Sequence, residues 1–166
     1  MSKKILFIVR IDARKKNGGD LIQAEIYKQH LENNLDVEVV FAHILLIDDL
    51  KAIHWDYVQL FNYSRIPEHY FYLKKIRYKK IGLCTIIQPG YQISKSDRFK
   101  SLIRAVLNFK LLNPFKAPID RLICSMDLIV YLSKGEKEFF ESFHSKISQY
   151  VIVNNGIDEL KLPKDL

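Results

Sequence analysis

Apolar runs return along this chain at intervals too long for hairpins and suited to alternating strands and helices. Residues 5–9 predict a first strand. Leu21, Ala24, Tyr27 and Leu31 recur at three-to-four-residue spacing and predict a helix over 21–31. Residues 37–41, rich in β-branched side chains, predict the second strand. Asp49 is placed to cap a short helical turn before Trp55 and Asp56, and 57–61 predict the third strand. Pro67 fits the first turn of a helix running to about residue 78. Residues 81–87 form an uninterrupted apolar run, as in a strand covered on both faces, stopped by Gln88, Pro89 and Gly90. Asp97 starts a helix over 97–112, ended by Asn113 and Pro114, and a short helix spans 118–124. Residues 128–132, 134–143 and 150–153 then read as strand, helix and strand.

That alternation predicts an α/β fold: an open, mostly parallel Rossmann-like sheet with helices on both faces, one domain over residues 1–166. Ligands of such sheets lie beyond the carboxyl ends of the strands, near the switch in strand order. The positions of interest are therefore 10–20, 62–65, 88–91, 133–136 and 154–158.

Composition narrows the picture only a little. Hydrophobic residues make up 48% and charged residues 27%, the balance of a globular chain. Lys and Arg outnumber Asp and Glu by 26 to 19, a net charge of +7 that favours anionic partners without choosing among them. Cys84 and Cys124 lie in or beside apolar runs, without metal or redox spacing, and read as small buried hydrophobes in a reducing compartment. The apolar start after Lys3 and Lys4 is broken by Arg10 and Asp12 and is no signal peptide. No stretch approaches the roughly 18 apolar residues of a membrane span.

The first loop is not a dinucleotide fingerprint, which needs GxGxxG directly after the strand and an acid closing the second strand. Here the second strand ends in Phe41, Ala42 and His43, and no Walker lysine follows the glycines. What stands is Asn17-Gly18-Gly19-Asp20 opening a helix, with Gln23 one turn in. Two glycines let backbone approach a ligand closely, and a helix start favours negative charge. A plain glycine turn with Asp20 stabilising the helix start explains the same residues.

Four motifs in order resemble the N-terminal, acceptor-side domain of GT-B-fold glycosyltransferases of the family 4 type. They are the opening strand with Gly18, Gly19, Asp20 and Gln23; Asp56 to Asn62 in the third unit; Met126 to Ser133 with Glu136 in the fifth; and Val153-Asn154-Asn155-Gly156-Ile157-Asp158. The resemblance implies retaining transfer from a nucleotide-diphosphate sugar, the donor substrate, to a glycan or glycolipid acceptor in cell-surface polysaccharide synthesis. It implies no cofactor and no metal. Gly18, Gly19 and Asp20 would face the donor diphosphate, aided by Arg14 or Lys16. Gln23, Asn62, Arg65, Thr85, Gln88, Tyr91, Ser133 and Glu136 would line the acceptor cleft, the last two chiefly supporting its wall. Asn155, Gly156 and Asp158 would form the turn into a donor-binding domain that this sequence lacks, so that the chain alone is expected to be inactive. Relatives carry a histidine or a Tyr-Trp pair after the fourth strand, where this chain has Gln88 to Tyr91. The implied place of work is the cytoplasm, at the inner face of the membrane.

Other features carry less chemistry. His30, His43, His54, His69 and His144 show no metal spacing and read as surface or half-buried structural histidines. Asp48 and Asp49 read as a solvated helix start. Two basic aromatic stretches remain: residues 70–80, with five cations in seven positions from Lys74, and 99–112, with Lys100, Arg104 and Lys110. A basic helix with an apolar arc can lie in an anionic membrane interface; equally, its arc can face the sheet while lysine stems cover the edges. The alternative to an enzyme is a basic α/β module that binds a membrane or nucleic acid, with tyrosines stacking on bases. No nucleic-acid-binding signature accompanies the patch, so no nucleic-acid partner is expected. A receiver- or flavodoxin-like domain lacks the acidic cluster or flavin loop it needs.

Overall fold

A computed structural model describes residues 2–10, 18–44, 47–86, 121–142, 144 and 149–153. Six strands form one sheet: β1 (Lys3–Ile8), β2 (Val37–Phe41), β3 (His54–Phe61), β4 (Arg77–Cys84), β5 (Leu128–Tyr131) and β6 (Tyr150–Ile152). Their order is β2-β1-β3-β4-β5-β6, and every pairing is parallel. The Rossmann-like α/β expectation is met. This is the doubly wound order with its switch between β1 and β3, not the 3-2-1-4-5-6 order of dinucleotide-binding sheets, in keeping with the missing glycine fingerprint.

Period-two alternation divides the core. Leu6 and Ile8 of β1 join Val58, Leu60, Ile81, Leu83, Ile129 and Tyr131 in one buried cluster. That cluster also takes in Leu50 of α2 (Ile47–Ala52), Ile66 and Leu73 of α3 (Ile66–Leu73) and Phe140 of α4 (Lys134–Glu141). Phe7 and Val9 join Val39, Phe41, Phe61, Cys84 and Val130 in a second cluster, with Leu21 and Ala24 of α1 (Gly19–Asn34). Successive side chains of a strand point to opposite faces, which is why neighbours in β1 fall into different clusters.

Several boundaries differ from the sequence expectation. The helix expected to reach residue 78 ends at Leu73, and Arg77 already pairs with His54 as β4 begins. Ladder bonds to β3 and burial of Ile76 outweigh the local helical pattern there. β3 starts three residues earlier than expected, because Trp55 is fully buried and its indole N–H donates to the Leu50 carbonyl. Asp49 sits inside the first turn of α2 rather than capping it. Cys84 is buried as expected, whereas Cys124 is exposed, since the helical turn at 121–124 turns Ile123 to the core instead. His69, expected at the surface or half-buried, is buried. The helix over 97–112 and the stop at Pro89 and Gly90 lie outside the described residues.

Candidate functional site at the carboxyl ends of the strands

The order reversal between β1 and β3 makes the crevice above their carboxyl ends the natural ligand position. Arg10 stands just past β1. Its guanidinium packs on Gly18, where an added Cβ would collide with Nη2. Its Nε lies 3.5 Å from Oδ1 of Asp20, a residue only 5% exposed. Gly18 is the extended residue ahead of α1, so a glycine stands there for the close approach of Arg10 and not for an unusual backbone angle. A Cβ on Gly19 would meet nothing within 4 Å among the described residues. One glycine of the pair is therefore filled by the arginine, and the other faces open space.

Asp20, in the first turn of α1, sets a carboxylate against the positive end of the helix and the Arg10 charge. Its Oδ2 is buried without a hydrogen-bond partner. Gln23, one turn on, is buried, and its amide donates to the Tyr27 hydroxyl at 2.9 Å. Burial pushes the Tyr27 phenol up to about 12, with Cys84 adding to the effect. Burial likewise pushes the Cys84 thiol up to about 12, helped by the charge of Glu136. Both stay protonated at neutral pH, which removes Cys84 as a nucleophile.

Asn62 follows β3 with φ 74°, a left-handed angle that asparagine tolerates better than most residues. Its Oδ1 accepts from the Ser64 amide and hydroxyl, so that oxygen holds the turn. Arg65 stands half-buried at the N-cap of α3, with its charge near His69. Thr85 is fully buried, and its hydroxyl donates to the Val130 carbonyl across the sheet. Ile86 follows with φ 45°, a left-handed angle that a β-branched residue adopts only under strain.

Ser133 caps the start of α4, and Glu136 reaches back one residue further than in a regular capping box. The Ser133 hydroxyl accepts from the Glu136 amide at 3.1 Å, and the Glu136 carboxylate reaches back to the Leu132 amide. Glu136 is fully buried and acts from within the wall. One turn along α4, Phe140 meets the Tyr63 ring edge to face and the His144 ring at a tilt, and the Tyr63 hydroxyl meets His144 Nε2 at 2.8 Å.

The structure thus brings Gly18, Gly19, Asp20 and Gln23 together on one helix start, and sets Asn62, Arg65, Thr85, Ser133 and Glu136 at the ends of β3, β4 and β5. Arg14, Lys16, Gln88, Tyr91, Asn155, Gly156 and Asp158 lie outside the described residues. Arg10 and Tyr63 fall in the loops 10–20 and 62–65 that the sequence marked, but they, Tyr27 and His144 were given no role in the site there. Among the described residues no cluster of three or more His, Cys, Asp or Glu could hold a metal ion, and no helix is long and apolar enough to cross a membrane. No family model, curated protein or solved structure matches the chain.

Proposed function

We propose that this chain is the acceptor-side domain of a retaining, GT-B-type glycosyltransferase that moves a sugar from a nucleotide-diphosphate donor to a glycan or glycolipid, working at the inner face of the cell membrane. One observation carries the reading. At the strand-order switch, the Arg10 guanidinium and the open Gly19 end of α1 place a cation beside unpaired helix amides.

A departing diphosphate needs charge stabilisation that is already in place when the bond breaks. Arg10 supplies it here, its planar fork held by Asp20 and by contact with Gly18. Gly19 leaves room for phosphate oxygens to reach the helix start. Glu136 and Ser133 fix the wall behind, and Thr85 locks β4 to β5. The diphosphate is then completed by a donor-binding lobe that packs across the crevice. The four ordered sequence motifs support the same reading.

The test is transfer of labelled sugar from nucleotide-diphosphate donors by the enzyme that carries this domain. A Cβ at Gly19 meets nothing within 4 Å among the described residues, so Gly19→Trp should keep a urea midpoint within about 0.5 kcal/mol of the parent. Turnover should fall by at least 100-fold, with Arg10→Gln showing a similar loss of about 2.7 kcal/mol in transition-state stabilisation. Full turnover by a folded Gly19→Trp enzyme would remove this corner from the mechanism.

A further inference from the structure

The basic run from Lys74 does not continue a helix but lies at the opposite end of the sheet from the crevice. Lys74 and Lys75 occupy the turn after α3, and Arg77, Lys79 and Lys80 occupy the first half of β4. All five are exposed. Lys3, also exposed, begins β1 two strands away, and adjacent strands are about 4.8 Å apart. The amino ends of β1 and β4 and the α3–β4 turn therefore form one cationic face.

Its carboxylates are largely committed. Asp56 accepts from Lys79 and from the Lys4 amide, and Asp127 accepts from the Ile81 amide. Asp36 and Glu38 lie beside Lys3 and Lys4 at the β2 edge, three strands from Lys74 to Lys80. Lys74, Lys75, Arg77 and Lys80 have no acidic partner among the described ion pairs.

From this placement we infer that the amino edge of the sheet docks on a lipid bilayer bearing anionic headgroups. The partner is a surface and not a single-stranded polyanion, because the nearby rings are already occupied. Lys74 Nζ lies 4.5 Å from the centre of the Tyr70 ring, and Tyr72 and Tyr78 pack against the core. Base stacking needs free aromatic faces, whereas headgroup attraction needs only a level set of cations. Leu35, 56% exposed at the end of α1 on this same edge, adds an apolar contact. The inference rests on the proposed place of work at the membrane face but uses no residue of the crevice, so flotation can fail while transfer survives, and the reverse.

Flotation with vesicles of phosphatidylcholine and phosphatidylglycerol tests it. The protein should float with the mixed vesicles at low salt, and not with pure phosphatidylcholine. The triple variant Lys74→Gln, Arg77→Gln, Lys80→Gln should lower partition by about 100-fold, at roughly five-fold per cation. The parent should likewise be released in 0.5 M salt, about where screening shortens to a few ångströms. Lys134→Gln, on the exposed start of α4 at the other end of the sheet, should float like the parent. Salt-insensitive flotation, equal loss in the Lys134 variant, an unaffected folded triple variant, or retention on single-stranded RNA without flotation would each overturn the inference.

Discussion

His69 shows how one side chain couples burial to pH. It is 1% exposed, and neither ring nitrogen has a partner. Burial, with a smaller contribution from the Arg65 charge, pulls its pKa down to about 4. The unfolded chain binds this proton near the ordinary value of 6.5, so between pH 6.5 and 4 the unfolded state holds more protons than the folded one. Stability from this group is therefore full above pH 6.5 and falls as pH drops towards 4, by roughly 3 kcal/mol. Glu32 and Asp56, whose carboxyls are held low by their amide and lysine partners, lose their contribution only at lower pH, below the ordinary carboxylate values. His69→Leu should flatten urea midpoints measured between pH 7 and 5, and a slope unchanged from the parent would place the sensitivity elsewhere. The burial was partly legible: Ile66, His69 and Leu73 share one helical stripe, and two of the three are core residues. What no spacing could convey is that the histidine finds no polar partner there.

Elements were easier to find than to delimit. Strands β1, β2 and β5 were evident from short apolar runs, because burial on both faces leaves few other readings. The first half of β4 was missed, since exposed lysines at a strand start resemble a basic helix face. The protection of the β2 edge was also invisible, because it depends on α1 crossing that strand. Glu32 accepts the Val39 amide, and Lys28 donates to the Val39 carbonyl while pairing with Glu32. Both backbone groups of an edge residue are thereby removed from strand pairing, the usual route to edge association. Glu32→Ala combined with Lys28→Ala should lower stability by about 1–3 kcal/mol, the cost of buried groups left unsatisfied. Sedimentation should show concentration-dependent self-association stronger than the parent's. A variant that stays monomeric at every concentration would show that the edge is guarded by something else.

At the scale of the whole molecule, alternation of strands and helices implied a parallel sheet, but strand order is a property of crossovers that no local pattern encodes. The order matters because it sets two charged surfaces at opposite ends. Arg10 and the start of α1 stand beyond the carboxyl ends of the strands, while Lys74 to Lys80 stand at or before the amino end of β4. The eight residues of β3 separate the two ends by about 25 Å. That exceeds the screening length of about 8 Å at physiological salt, and the two sets of residues share no contact partner, so their effects should add. A bilayer on the amino edge would leave the crevice opening into water, within reach of the distal sugars of a glycan or glycolipid acceptor and not of a hydroxyl at headgroup depth. Gly19→Trp and Arg10→Gln should accordingly partition onto anionic vesicles within about two-fold of the parent, and the triple lysine–arginine variant should keep its turnover when no vesicles are present. Coupling larger than about 0.5 kcal/mol in either direction would mean that the ends communicate through the strands, and that the sheet is not the rigid spacer its central, fully buried positions make it.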